Sequence, residues 1–282
     1  MQIHALQTGF VQIKRAQQLG VGHGLARRVR PFLDPTWTDW LPTYAWAIEH
    51  PEGVIVVDTG AASGDPHLKS LHPYHRFDVR FRVEPQDELG PQLRALGIGP
   101  DDVSRVIVTH LHMDHGAGLP HVTGRPTFVH AGELRAARSL AGRLQGYLPG
   151  QWGAAFDPQG LAWQTQPLGP FEQSMPLTRA GDVVAVQTPG HTPHHLSVVV
   201  KGDVSIFLAG DTSYTQAALL AGQVDGVSPD EEQARATLRR VRSLAAERPL
   251  VYLPTHDPES AHRLRTLEVV TPEAAEEAGG AG

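Results

Sequence analysis

The chain has 282 residues, 40% of them hydrophobic and 19% charged, with a net charge of −6 and no cysteine. Without a thiol there is no disulfide framework, no Cys-ligated zinc, no iron–sulfur cluster and no cysteine nucleophile, so a metal must be held by imidazole and carboxylate, for which 16 histidines are ample. The acidic balance offers no general field for nucleic acid or an anionic membrane.

The chain is long enough to bury a large core, and no Ser- or Gly-rich linker divides it, so a single domain is expected over residues 1–271. The N-terminus lacks a charged region followed by an apolar one, and no run of about 18 apolar residues occurs. No signal peptide and no membrane span are therefore expected, and a cytoplasmic location follows. Gly20–Pro42, rich in Trp, Pro and Arg, reads as an irregular segment. Tyr44–Glu49 and Val54–Asp58, around the turn His50-Pro51-Glu52-Gly53, read as a hairpin. Gln86–Leu96 reads as a helix ended by Gly97 and Gly99, Val103–Thr109 as a β-branched strand, Thr127–His130 as a short strand, and Glu133–Leu140 as a helix. Ser139–Trp163 has no clear period and, with residues 20–42, reads as a substrate or oligomer loop.

Three further strands are expected at Asp182–Thr188, Leu196–Val200 and Val204–Ala209. Ser228 then reads as the N-cap of a helix with Pro229 in its first position, Glu231 three residues past the cap, and an apolar stripe of Ala234, Leu238, Val241, Leu244 and Ala245. Pro249 stops it, and Leu250–Leu253 reads as a strand. The last residues, 272–282, are acidic, small and Gly-rich and read as a disordered tail. Strands alternating with helices and hairpins indicate an α/β sandwich with more than one sheet.

The densest chemistry is Thr109-His110-Leu111-His112-Met113-Asp114-His115-Gly116, directly after the strand from Val103. In extended chain, residues two apart point to the same side, so His110 and His112 can grip one ion, and a turn after Met113 aims Asp114 and His115 at a neighbouring point. Three more candidates follow strands: His191 in Thr188-Pro189-Gly190-His191, Asp211 in Ala209-Gly210-Asp211, and His256 in Pro254-Thr255-His256-Asp257. Taken singly, each reads as a turn or structural residue; together, four strands ending in potential ligands read as a site built at one sheet edge.

This set resembles the metallo-β-lactamase superfamily, from the hairpin at Tyr44 to His256. The resemblance implies an αβ/βα four-layer sandwich of two mixed β-sheets flanked by helices, and a di-metal site. It implies that His110, His112 and His191 hold one metal, that Asp114, His115 and His256 hold a second, and that Asp211 bridges. Asp58, in Val57-Asp58-Thr59-Gly60, matches the superfamily's early Asp and is expected either to orient a ligand His or to serve only as a turn residue. The family's Gly-His-Thr-Pro-Gly-His here reads Gly190-His191-Thr192-Pro193-His194-His195, which leaves His194 and His195 without an assigned role. His4, His23, His50, His67, His72, His75, His121, His130 and His262 match no motif and are expected to be solvated or structural.

Two zinc ions are the expected cofactors, with manganese, iron or cobalt fitting the same donors. They imply hydrolysis by a bridging hydroxide, without a protein nucleophile. Tyr214, three residues after Asp211, resembles the quorum-quenching N-acyl homoserine lactonases. That resemblance implies ring opening of N-acyl homoserine lactones or related lactones, with Tyr214 at the substrate carbonyl and Asp114 as ligand and proton shuttle. A di-metal hydrolase of another ester, thioester or phosphoester is the alternative, and a non-catalytic metal-binding protein a third. The implied partner is a small-molecule lactone or ester, with no nucleic acid and no membrane, and aromatics in Gly20–Pro42 are compatible with a homodimer. Trp37, Trp40, Phe32, Phe77, Phe81, Tyr147 and Trp152 are candidate walls for an acyl chain, against ordinary core packing for any one of them.

Overall fold

The computed structural model describes residues 1–64, 78–143, 145–148, 152 and 156–272. Phe77, His67, His72, His75 and nearly all of the acidic tail lie outside the described residues. Contacts along the chain group it into two units, one of Met1–Lys14 and Pro35–Leu161, the other of Arg15–Asp34 and the chain from Ala162 onward. Each contains its own mixed sheet with helices, as the sequence led us to expect.

Among the described residues the sheet of the first unit contains seven strands: β1 (Gln2–Ile13), β2 (Leu41–Glu49), β3 (Val54–Val57), β4 (Val79–Arg82), β5 (Val103–Ile107), β6 (Thr127–Val129) and β7 (Gln159–Gly160). Their order is β4-β1-β2-β3-β5-β6-β7. The expected hairpin forms, β2 and β3 pairing antiparallel from Trp46↔Val57 to Ile48↔Ile55. From β3 onward the pairing is parallel, which places the ends of β3 and β5 side by side. β1, which no motif announced, pairs antiparallel with β2 along most of its length and carries β4 on its other edge. It alternates between side chains turned into the core and side chains left half-exposed, the period-2 signature of a strand covered on one face.

The helix expected over Gln86–Leu96 is divided: a 3₁₀ turn at Pro85–Asp87 comes first, and the α-helix proper spans only Leu89–Ala95. Pro91 dictates this. It has no N–H to give and is tolerated only in a first helical turn, so the helix must open just before it. Leu89 and Leu93 then fall one turn apart and join Leu6, Ala45, Val56, Val106 and Leu111 in the core. The segment from Ser139 is not wholly irregular, since the helix Ala131–Arg138 is followed by a second short one, Leu140–Arg143.

The second unit holds β8 (Ser174–Pro176), β9 (Val183–Gln187), β10 (Leu196–Val200), β11 (Ser205–Gly210) and β12 (Leu250–Pro254), in the order β12-β11-β10-β9-β8. All pairs are antiparallel except β11 with β12. Parallel neighbours need a crossover, supplied by the helix Glu231–Glu247. Its stripe of Ala234, Leu238, Val241, Leu244 and Ala245 is buried among Val184, Val186, Phe207 and Tyr252, as its spacing requires. The cap differs from expectation: Asp230, not Ser228, accepts the Gln233 N–H at 2.9 Å. Ser228 is committed elsewhere, donating through its N–H and its hydroxyl to Asp225. Gly20–Pro42 also departs from expectation, because Arg15–Leu19 and Gly24–Leu33 within and beside it are helical. Leu25, Val29 and Phe32 stand on the exposed side of the second of these.

Candidate metal centre

In the first unit the chain leaves β5, bends at Thr109, and passes His110 and His112 into the short helix Met113–Gly116, with His112 as its N-cap residue. Asp58, at the end of β3, takes a left-handed backbone conformation with φ of 58°, which Asp adopts more readily than most residues. It is not a simple turn residue. Its carboxylate accepts the Thr109 N–H at 2.8 Å, the Thr109 hydroxyl at 2.9 Å, and His115 Nδ1–H at 2.8 Å. A carboxylate only accepts, so the His115 proton sits on Nδ1 and Nε2 presents its lone pair. Nε2 lies 3.9 Å from Asp114 Oδ1.

The other two imidazoles are fixed in the same way. Gln145 O accepts from His112 Nε2–H at 2.9 Å, which leaves His112 Nδ1 as the lone pair. Thr109 spends its proton on Asp58, so its oxygen accepts from His110 Nδ1–H at 3.2 Å, and His110 Nε2 becomes the lone pair. These two lone-pair nitrogens face each other at 3.0 Å. Two acceptors at that distance repel unless a cation lies between them. About 3.3 Å separates two nitrogens bound to one tetrahedral zinc at ~2.0–2.1 Å. The pairs His110–His115 and Asp114–His115 also hold donor atoms within 4.8 Å of each other. Glu133, fully buried, pins the loop by accepting from the Leu111 N–H at 3.1 Å and the Tyr147 hydroxyl at 2.8 Å.

In the second unit the candidate ligands come from three strand ends. His191 follows β9, Asp211 follows β11 directly, and His256 follows β12. Asp225 accepts His191 Nδ1–H at 3.1 Å, so His191 Nε2 is the lone pair, and it lies 3.5 Å from Asp211 Oδ2. The other carboxylate oxygen, Oδ1, lies 3.4 Å from His256 Nε2. One carboxylate thus shows each of its oxygens to a different imidazole, an acceptor opposite a lone pair in the His191 case. Asp225 also accepts the N–H groups of Val227 at 2.8 Å and Ser228 at 2.6 Å. Burial pushes its carboxyl up, but His191 and these N–H groups outweigh burial and hold it below the usual carboxylate range. The buried Arg27 secures the turn by donating to Asp225 O and, at 2.6 Å, to Ser228 O.

His195 now has a place. Its Nε2 accepts the Asp211 N–H at 3.0 Å, and its Nδ1–H donates to the Thr188 hydroxyl at 2.8 Å, so both ring nitrogens are engaged and it holds the backbone of Asp211. His194 is only half-buried. Asp257 fixes the turn carrying His256, accepting from the Gln216 N–H at 2.8 Å and from Arg263 Nη1 at 2.9 Å. The Tyr214 ring is 6.0 Å from the His191 ring, edge to face, and 5.6 Å from that of His256. Its hydroxyl accepts from Gln17 Nε2 at 3.0 Å.

Within each unit the structure therefore brings together the residues singled out from sequence: His110, His112, Asp114 and His115 in one, His191, Asp211, Tyr214 and His256 in the other. Four supporting residues were not legible: Gln17, Glu133, Gln145 and Asp225 form part of no motif, and each bonds to a site residue or the site loop 22 or more residues away. Several of the candidate wall aromatics are spent elsewhere. Tyr147 and Trp152 are core residues, and Trp37 lies between Lys14 Nζ and Arg80 Cζ, each 4.0 Å from its ring. Five of the unassigned histidines behave structurally: His4, His23 and His121 meet Glu49, Glu231 and Glu88, while His50 and His130 accept backbone N–H groups; His262 is exposed.

A family model described as the metallo-beta-lactamase superfamily matches residues 38–256. An N-acyl homoserine lactonase of Bacillus cereus is 26% identical over 218 residues, covering 75% of this chain and 80% of that protein. N-acyl homoserine lactonase AttM of Rhizobium radiobacter is 27% identical over 226 residues, 78% and 83% of the two chains. Among solved structures, an N-acyl homoserine lactone hydrolase with N-hexanoyl-L-homoserine bound at its catalytic metal centre superposes with a TM-score of 0.75 at 20% identity, covering 95% of this chain and 96% of that one.

Proposed function

The chain belongs to the metallo-beta-lactamase superfamily, and from that premise we propose that it is a metal-dependent hydrolase that opens the lactone ring of N-acyl homoserine lactones or related lactones. The observation that carries the metal is the facing of acceptors, His110 Nε2 toward His112 Nδ1 and His191 Nε2 toward Asp211 Oδ2, each with its other ring nitrogen committed to an acceptor. Imidazole and carboxylate donors of this kind suit zinc, and manganese, iron or cobalt on the same set. In this reading His110, His112 and His191 hold one ion, Asp114, His115 and His256 the other, and Asp211 joins them. A family match that spans both ligand sets supports their acting together. When bound, such a metal pair supplies Lewis acidity and a nucleophilic water at neutral pH.

The side chains supply the rest. Tyr214, buried beside His191 and His256, donates its hydroxyl proton to the carbonyl oxygen as that oxygen gains charge. Asp114, at 13% side-chain exposure, carries a proton to the departing ring oxygen. Asp58 and Asp225 keep His115 and His191 in the tautomers that bind. Similarity to proteins named for lactone hydrolysis, along 75–78% of the chain, supports lactones over other esters.

The test is to load the protein with zinc, count metal per chain, and follow proton release from short- and long-chain acyl homoserine lactones. Two metals and ring opening are expected. Turnover of a thioester or phosphodiester without turnover of any lactone would overturn the substrate, and a metal count of zero would overturn the centre.

A further inference from the structure

We infer that Gln17 is a positioning residue for Tyr214: its amide donates to the phenol oxygen and so commits the phenol's own proton to the substrate side. The inference rests on the catalytic role proposed for Tyr214.

A phenol has one proton and accepts through its oxygen. The C–O–H group prefers the plane of the ring, so the proton has two positions, one on each side of the oxygen. Gln17 Nε2 lies 3.0 Å from that oxygen and presents an N–H, which excludes a proton from its own side. The other position is left, and the hydroxyl becomes a directed donor. A hydrogen bond received by the oxygen also polarises the O–H and strengthens the bond it gives.

The placement of Gln17 is built, not incidental. Gln17 is buried in the short helix Arg15–Leu19. Asp34 Oδ2 accepts the Ala16 N–H at 2.7 Å, and Gln17 O accepts the Gly226 N–H at 2.6 Å. Two glycines allow this contact. A Cβ on Gly226 would lie 2.5 Å from Ala16 O and 2.9 Å from Pro31 Cγ, and a Cβ on Gly20, where φ is +58°, would run into the Val224 carbonyl. The backbone stretch Val224–Gly226 therefore serves two neighbours at once. Asp225 orients His191, and Gly226 fixes Gln17 on Tyr214. A residue nearly 200 positions away in sequence is thereby bound to the residues around the proposed metal pair.

The experiment uses the full-length, zinc-loaded protein labelled with ¹³C at tyrosine Cζ, as wild type, Gln17→Leu, Gln17→Glu and Tyr214→Phe. The resonance missing from Tyr214→Phe identifies Tyr214. In Gln17→Leu that resonance alone should move, because the phenol oxygen loses its donor. For lactone opening, Gln17→Leu should lower kcat by about 3- to 10-fold, the worth of one neutral hydrogen bond, with KM unchanged. Gln17→Glu, whose carboxylate captures the phenol proton, should fall to the level of Tyr214→Phe. Added to Tyr214→Phe, Gln17→Leu should cost less than about twofold. An unmoved Tyr214 resonance, or equal losses in the two backgrounds, overturns the assignment. Should wild type open no lactone, the resonance still decides whether Gln17 donates to Tyr214, so failure of the substrate reading and failure of this one remain distinguishable.

Discussion

The two candidate ligand sets are built in opposite ways. In the first unit four proposed ligands come from one six-residue stretch, His110 to His115, and the fold has only to end β5 and start a helical turn. In the second, His191, Asp211 and His256 come from the ends of three strands, and 65 residues separate the first from the last. The local set needs few external supports, chiefly Asp58, Glu133 and Gln145. The dispersed set is wired throughout: Asp225 on His191, His195 on the Asp211 backbone, Asp257 on the turn of His256, and Arg27 beneath Asp225. A contiguous motif carries its own geometry, whereas separate strand ends depend on buried polar networks to reach comparable precision.

The sharpest way to break this contrast is to remove the residue on which the dispersed set converges. Asp211→Ala should abolish more than one metal's worth of binding and lower turnover more than about 100-fold, beyond the range of an outer partner. Metal analysis and kcat/KM measure it, and retention of both ions would refute the bridging role. The next test compares the two orienting carboxylates. Asp58→Asn and Asp225→Asn should each weaken metal affinity by roughly 10- to 100-fold in chelator competition. Asp225→Asn should lower thermal stability more than Asp58→Asn, because the Asp225 carboxylate holds two backbone N–H groups and the Ser228 hydroxyl, against one backbone N–H and the Thr109 hydroxyl on Asp58. Equal stability losses would erase the distinction.

The smallest effect separates the first unit's sheet from its ligands. Burial pushes the Asp78 carboxyl up to about 6, against the pull of the Lys14 ammonium. An acid whose folded pKa is raised stabilises the fold when protonated, and that stability is lost as pH rises from its unfolded value through about 6. Asp78→Asn should therefore stabilise the protein at pH 7.5 by on the order of 1 kcal/mol and little at pH 3.5, with metal content unchanged. Denaturant unfolding at the two pH values checks the sign.

Much of the fold could be read because periodicity reports burial directly. The stripe Ala234 to Ala245 and the β-branched runs at Val103 and Leu196 appear where their patterns place them. Capping was less legible, since Ser228 and Asp230 suit an N-cap equally in sequence, and what separates them is the attraction of Ser228 to Asp225. The helix Gly24–Leu33 was hidden by its own Pro31 and by Arg27, a charged residue whose burial depends on carbonyls 198 and 201 residues away.

The sequence by itself determined the ligand chemistry. With no thiol, and with histidine and aspartate placed after strand-forming runs, the donor set is imidazole and carboxylate whatever the packing. Tertiary structure alone decided which nitrogen of each histidine is offered and which phenol oxygen receives a donor. Those choices belong to partners such as Asp58, Asp225, His195 and Gln17, which meet their targets only when strand ends converge, and hydrogen bonding between groups so far apart in the chain leaves no local trace.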